Sequence, residues 1–283
     1  MTDTRVFDSL HALQQRLKAA RQSGQRIALV PTMGNLHAGH VALLAAAREQ
    51  CDMLLATIFV NPLQFGANED YARYPKTFDA DLTALQHAAC DAVYVPAVEE
   101  IYPAGLSNHT RITAGELASL HCGKSRPGHF DGVCTVVNIL LNMIQPSLAV
   151  FGLKDYQQFC IISKMVKDLQ MSVELQGIAT VREPSGLALS SRNNYLNAAE
   201  KHSAPVIYAT LQHIAAVIQQ QPKDLRNLEQ DALTRLQLAG LRPDYFHICN
   251  RHTLLEATEA DTELVILVAA YAGTTRLIDN ILI

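Results

Sequence analysis

RIALVPTMGNLHAGHVALL, residues 26–44, decides how the rest of the chain is read. Its first six residues form a short apolar run of strand length, and from Ala38 onward apolar residues recur at helical spacing. The stretch is therefore strand, connection, helix, and the same sequence of elements recurs from about residue 25 to 178. RIALVP (26–31), MLLATIFVNP (53–62), DAVYVP (91–96), SLAVFG (147–152) and VELQGI (173–178) are short apolar runs. Segments with helical periodicity lie between them, at 38–50, 78–89, 133–144 and 155–169. Parallel strands need a crossover connection, so this alternation predicts a doubly wound, Rossmann-like α/β domain with helices on both faces. Any ligand then belongs at the carboxyl ends of the strands.

The character changes after residue 182. One helix carries Ile207, Leu211, Ile214 and Ile218 on a single face, and a second carries Leu225, Leu228 and Leu236 and ends at Gly240 as a C-cap. Three strand-like runs, DYFHICN (244–250), ELVILVAAYAG (263–273) and TTRLIDNILI (274–283), close the chain. Their near adjacency predicts a small α+β unit with an antiparallel sheet. The expected division is 1–182 and 183–283, although Pro184 and Gly186 in VREPSG equally mark a loop within the site.

Composition narrows the class. Of 283 residues, 49% are hydrophobic and 18% charged, enough for a sizeable core. The formal net charge of −4 and scattered basic residues offer no track for a phosphate backbone, so nucleic acid is not an expected partner. The first 24 residues read as a polar segment and an amphipathic helix with Leu10, Leu13 and Leu17 on one face, unlike a signal peptide. No apolar stretch is long enough to span a bilayer, and a cytoplasmic enzyme is expected. Six widely spaced cysteines without a C-x-x-C are expected to be free thiols.

Three readings compete for TMGNLHAGH: a nucleotide-phosphate site, a metal site and an ordinary loop. Gly34 and Gly39 permit close backbone approach, the free N–H groups of the helix start favour an anion, and His37 and His40 lie three apart on the first turn. Two imidazoles there can donate to a phosphate chain and to the charge that develops as its bridging oxygen is displaced. A metal would need further ligands, and no nearby Cys, Asp or Glu has ligand spacing. The phosphate reading agrees with both location and residue type.

H-x-G-H after a first strand resembles the signature of the nucleotidyltransferase superfamily. Four further segments sharpen the likeness. Asn61 and Gln64 follow the second strand, and Arg126, Gly128 and His129 precede a long apolar helix. Gly152, Leu153, Lys154 and Asp155 lie at another strand-to-helix turn, and GLALSSRNNYL supplies Leu189, Ser190, Ser191 and Arg192. In this order, from about residue 25 to the end, the segments resemble the pantoate–β-alanine ligase family.

That resemblance implies an ATP-dependent condensation in pantothenate and coenzyme A biosynthesis: pantoate's carboxylate attacks the α-phosphorus, pyrophosphate leaves, and the amine of β-alanine displaces AMP from pantoyl adenylate. It implies Mg2+ with ATP and a homodimer. It places ATP along residues 33–40, which include Met33, Gly34, His37, Gly39 and His40, and along Gly152, Leu153, Lys154, Asp155, Val181, Leu189, Ser190, Ser191 and Arg192. His40 is the family's catalytic histidine, described as a proton donor, and His37, Lys154 and Arg192 join it. An imidazolium bonded to a phosphate oxygen would give similar mutational losses. Gln64 and Gln158 match pantoate contacts, Gln64 also meets β-alanine, Arg126 holds the β-alanine carboxylate or a phosphate, and Asp155 holds the metal or caps its helix. The residues suit the chemistry, since aligning two anions and neutralising charge on phosphorus is mainly positioning and electrostatics.

The chain departs from the family's usual pattern at Leu153, Leu189, His121 and Cys122. Two rivals remain: another adenylyltransferase of the superfamily that keeps AMP attached to its product, and a non-catalytic nucleotide-binding regulator. The RPGHF and LSSR segments count against the first, and the full set of polar residues at strand ends counts against the second. The smaller C-terminal unit is expected to close as a lid that excludes water from the adenylate.

Overall fold

A computed structural model describes residues 3–66, 69–220 and 224–283. The expected fold class is the one observed. Strands β1 (Arg5–Phe7), β2 (Ile27–Thr32), β3 (Met53–Ile58), β4 (Ala92–Tyr94), β5 (Leu148–Gly152) and β6 (Glu174–Ile178) form one sheet in the order β1-β4-β3-β2-β5-β6. Every pairing in it is parallel. Strands β7 (Arg242–Asn250), β8 (Leu264–Ala272) and β9 (Thr275–Leu282) form a second sheet, antiparallel and in sequence order.

The side-chain alternation of each parallel strand sorts its residues onto two faces. Ala28, Val30, Leu54, Ala56, Val93, Leu148 and Val150 pack with Leu43, Leu44 and Ala47 of helix α2 (Ala38–Arg48). Leu85 of α3 (Phe78–His87) joins that core. Ile27, Leu29, Met53, Leu55, Ala92, Tyr94 and Phe151 face the other way. They meet α1 (Leu10–Gln22) through Leu13 and Leu17, and share their core with α6 (His129–Ile144) and α7 (Tyr156–Asp168). Both faces are covered, as continuous apolar strands require.

Two short helices, α4 (Val98–Ile101) and α5 (His121–Ser125), punctuate the connection before α6. The remaining helices, α8 (Ala198–Ser203), α9 (Val206–Gln220) and α10 (Leu225–Leu238), precede the second sheet. Gly240, at φ +80, follows α10 in the left-handed conformation expected of a C-terminal cap.

The second sheet is buried on both sides. Phe246, Ile248, Ile266, Val268 and Ala270 pack with Ile207, Leu211 and Ile214 of α9 and Leu236 of α10. Tyr245, Cys249, Val265, Leu267 and Ala269 belong instead to the core that includes α6 and α7. Hence β8 reads as an unbroken apolar run although its sheet is antiparallel.

Two elements differ from the reading of the sequence. Strand β1 lies within what reads as a polar segment; three residues, two of them exposed, carry too short a pattern to register. Helix α6 begins at His129, four residues before the apolar run at Val133, because its first turn carries a single apolar residue, Phe130, among His129, Asp131 and Gly132. Among the described residues all six cysteines are free, and no helix is long and apolar enough to cross a membrane.

Candidate active site

Strand order locates the site before any side chain is considered. Strands β3 and β4 lie to one side of β2, and β5 and β6 to the other, so the connections diverge between β2 and β5. At such a switch point two strand-to-helix turns part and leave a crevice at the carboxyl ends. The turn after β2 carries His37 and His40, and the turn after β5 carries Lys154 and Asp155.

The β2 turn is built tightly. Gly34 has φ +80, and a Cβ there would press on Asp81 Oδ2 and Ile58, each at 3.1 Å, so glycine is required. Asp81, in the first turn of α3 and 2% exposed, accepts hydrogen bonds from Asn35 N at 2.9 Å and Leu36 N at 2.7 Å. Its carboxylate thereby fixes the backbone that leads to the histidines.

His37 is the N-cap of α2 and His40 its third residue, and the two form a reciprocal capping box. His37 Nδ1 accepts from Gly39 N at 3.1 Å, and His40 Nδ1 accepts from His37 N at 3.3 Å. An Nδ1 that accepts carries no proton, so each neutral ring bears its proton on Nε2, leaving an N–H donor to offer. Burial, and then the neighbouring His37 ring, push His40 down to about 3. Burial and Lys154 lower His37 as well. The site thus presents two neutral N–H donors, and the imidazolium considered from the sequence is not the form these contacts favour.

Gln64 is held by Asn61, which is 1% exposed. Asn61 Nδ2 donates to Gln64 Oε1 at 3.1 Å and to the Gly132 carbonyl at 3.1 Å, while Tyr102 Oη donates to Asn61 Oδ1 at 2.6 Å. Gln64 Nε2 reaches Met33 Sδ at 3.2 Å, which ties the two turns together. A Cβ on Gly132 would run into the Leu63 carbonyl, so α6 can seat the Pro62–Gln64 turn only through glycine.

His129 joins Gln64 to Arg126. Its Nδ1–H donates to the Gln64 carbonyl at 2.8 Å, and its Nε2 accepts from Arg126 Nη1 at 2.8 Å. Burial and the adjacent guanidinium hold the ring neutral, with a pKa pushed down to about 4. Asp155 occupies the N-cap position of α7 without making a side-chain cap bond. Asn280 of β9 donates to the carbonyls of Leu153 and Lys154 at 2.8 and 2.9 Å, so the second sheet pins the Lys154 turn.

Val181 and Leu189 flank a tight return closed by Leu189 N to the Val181 carbonyl at 3.0 Å. VREPSG is thus a loop within the site wall. Beyond it Ser190 accepts from Arg192 N, and Ser191 Oγ lies 3.5 Å from Tyr74 Oη, which donates to it.

The residues expected from the sequence converge. Met33, His37, Gly39, His40, Gln64, Arg126, Gly152, Lys154, Asp155, Gln158, Val181, Leu189, Ser190, Ser191 and Arg192 all line one cavity of about 250 Å³. Gly34 and Leu153 do not. Gly34 shapes the turn from behind, and the half-buried Leu153 packs against Gly177 and the core around α6 and α7. A larger cavity of about 720 Å³, bounded by β9 and the Ser191–Tyr195 turn, shares Arg126, Lys154, Gln158 and Arg192 with the first. The two are one cleft, with the histidines in its narrow end.

His121 and Cys122 have a structural account. His121 Nε2 donates to the Leu254 carbonyl at 2.8 Å and its Nδ1 lies 2.9 Å from His247 Nδ1. Cys122 Sγ lies 3.0 Å from Tyr245 Oη and receives Arg276. These contacts bind α5 to the second sheet. Asn61, Asp81, His129 and Asn280 are the positioning groups that the sequence reading left without a site role. Of these, only Asn61 and His129 carried a local signal, their place within the quoted motifs.

Two strand-to-helix turns thus meet at the switch point of a doubly wound α/β fold, one of them with an H-x-G-H pair and the other with Lys154 and Asp155. A family model described as Pantoate-beta-alanine ligase matches residues 5–282. The chain belongs to that family. It is 52% identical over 277 residues to a pantothenate synthetase of Marinobacter nauticus, covering 98% of each chain. A solved pantothenate synthetase of Thermus thermophilus superposes with a TM-score of 0.92 at 40% identity, over 98% of this chain and 99% of that one. A Francisella tularensis pantoate-beta-alanine ligase, solved with beta-gamma ATP and beta-alanine, superposes at 0.81 with 33% identity, over 99% and 97%.

Proposed function

We propose that this chain condenses pantoate with β-alanine, converting ATP to AMP and pyrophosphate by way of a bound pantoyl adenylate. A carboxylate oxygen of pantoate attacks the α-phosphorus and the bond to the β-phosphate oxygen breaks. The amine of β-alanine then attacks the acyl carbon, AMP departs with the bridging oxygen, and the amine loses a proton. The observation that carries this reading is the pair of Nε2–H donors from His37 and His40, facing the Lys154 turn across the switch point.

His40 and His37 donate to phosphate oxygens as charge builds there, and Lys154 and Arg192 supply the cationic counterpart. Approach of the triphosphate would raise the pKa of both rings, which gives His40 a proton to share only once ATP is bound. Met33, Gly39, Gly152, Val181, Leu189, Ser190 and Ser191 line the nucleotide, with Gly34 and Leu153 shaping the turns beneath it. Gln64 and Gln158 read pantoate's oxygens, and Gln64 and Arg126 receive β-alanine.

Magnesium suits the donor set. The Asp155 side chain makes no hydrogen bond or ion pair among the described residues, and no three His, Cys, Asp or Glu side chains among them converge as a cage. An ion would share Asp155 with phosphate oxygens and water, as magnesium does at nucleotide sites, and would neutralise phosphate charge there. We further assign residues 1–182 to nucleotide and pantoate binding and 183–283 to a closing unit, in a cytoplasmic homodimer.

Exchange of labelled pyrophosphate into ATP tests the scheme. It should require pantoate and not β-alanine, and absence of exchange with pantoate alone would refute the stepwise route. His40→Asn keeps an acceptor for the His37 N–H but loses the Nε2 donor. It should retain the wild-type melting temperature while exchange falls by about 100-fold or more.

A further inference from the structure

Three arginines that line the cleft, Arg126, Arg192 and Arg276, are each paired with a carboxylate. One of those carboxylates, Asp244, sits on strand β7. The other two, Glu69 and Asp70, are consecutive residues between the Pro62–Gln64 turn and a second turn at Tyr71–Arg73. They reach guanidiniums from distant parts of the chain. Asp70 takes Arg192 side-on, with Nε to Oδ2 at 3.1 Å and Nη2 to Oδ1 at 2.9 Å. Glu69 takes Arg126 in the same way, with both contacts at 2.5 Å. Burial opposes ionisation of both acids, yet the bonded guanidiniums hold their carboxyls below the usual range.

A paired arginine has no net charge to offer an incoming anion. If both pairs persisted, a triphosphate at Arg192 would also face the charge of Asp70. The planar fork of a guanidinium accepts one bidentate partner on that edge, and a phosphate or a carboxylate fits it equally well. We propose that Asp70 and Glu69 are stand-in anions that keep Arg192 and Arg126 oriented in the cleft and are exchanged for substrate, Asp70 for a nucleotide phosphate and Glu69 for the carboxylate of β-alanine. The identity of these anions rests on the proposed function; the exchange itself does not. Because the two acids are adjacent, ATP at Arg192 also loosens the hold on Arg126, so nucleotide prepares the second substrate's place.

Calorimetric titration of the full chain with pyrophosphate, and separately with ATP, tests the exchange. Asp70→Asn removes the competing charge but keeps an acceptor for Arg192, and should bind both probes about tenfold more tightly than wild type. Glu69→Gln, through the coupling between the adjacent acids, should tighten pyrophosphate binding by less than Asp70→Asn does and lower the KM for β-alanine. A purely structural pair would give the reverse, weaker binding and a lower melting temperature, and that result overturns the proposal. Wild-type protein supplies a second measurement that needs no variant. Pyrophosphate should speed hydrogen exchange at the amides of residues 71–74, and unchanged or slower exchange there refutes release of the acids. If ATP binds no better than pyrophosphate and pantoate elicits no turnover, the proposed function fails, while pyrophosphate still decides the exchange.

Discussion

Asp81→Asn isolates the support beneath the histidines. The wild-type carboxylate accepts one backbone N–H on each oxygen, from Asn35 and Leu36, and the Thr77 hydroxyl as well. An amide of the same shape has a single oxygen, so whichever way it turns, an NH2 group faces one of the two backbone donors. A buried donor left without a partner costs about 1–3 kcal/mol, and the bond that survives loses its charge assistance. The sum is about 2–4 kcal/mol, or a fall in melting temperature of about 3–7 °C for a chain of this size. The damage is local, because residues 34–36 lead directly into the capping box. Misplacing His37 and His40 by a fraction of an ångström should slow pyrophosphate exchange by about 10- to 100-fold. The KM for β-alanine should hold. Thermal unfolding followed by circular dichroism, together with the exchange assay, reads both effects. A variant that melts within about 2 °C of wild type and exchanges at the wild-type rate would show that Asp81 does not hold this turn.

Other perturbations follow from the same contacts. Gly132→Ala drives a methyl group into the Leu63 carbonyl, and overpacking of this kind costs about 1–3 kcal/mol. The displaced turn carries Gln64, so the KM for pantoate should rise while ATP binding measured by calorimetry is kept. Acid should destabilise the protein through its buried neutral histidines. His40, His129 and His247 are pushed down to about 3, 4 and 4, against 6.5 when unfolded. The unfolded chain therefore binds more protons below pH 6.5, so this stability is complete above that pH and is lost as pH falls towards 4 and 3. Each such histidine steepens the loss by up to about 1.4 kcal/mol per pH unit. Urea unfolding at a series of pH values measures the slope, and a flat profile between pH 6.5 and 4.5 would count against buried neutral rings.

The architecture was legible wherever the signal was local. Apolar runs of strand length alternating with helical segments identified five of the six parallel strands, and turn residues at their ends identified His37, His40, Lys154 and Asp155. Strand β1 escaped because three residues carry no period. The positioning groups escaped for a different reason. Asp81 serves an amide 46 positions away and Asn280 a carbonyl 127 away, and nothing in the neighbourhood of either residue records the partner. Charge state was illegible for the same cause. The neutrality of His40 comes from burial and from a second imidazole whose ring centroid is 4.1 Å away. The side of Leu153 that faces the core could be decided only once Gly177 and Phe159 were beside it.

The reciprocal cap at the start of α2 also makes the helix report on the chemistry. Gly39 N–H is bonded to one nitrogen of the His37 ring, and His37 N–H to one nitrogen of the His40 ring. Protonating either Nδ1 would break the bond it accepts, so each amide is a sensor for its ring. Fraying of the first helical turn and loss of donor orientation are likewise one event. A nucleotide that fastens both Nε2–H groups therefore stiffens the helix from the side chains inward, and the amide signals of two backbone groups become a spectroscopic record of what the imidazoles hold.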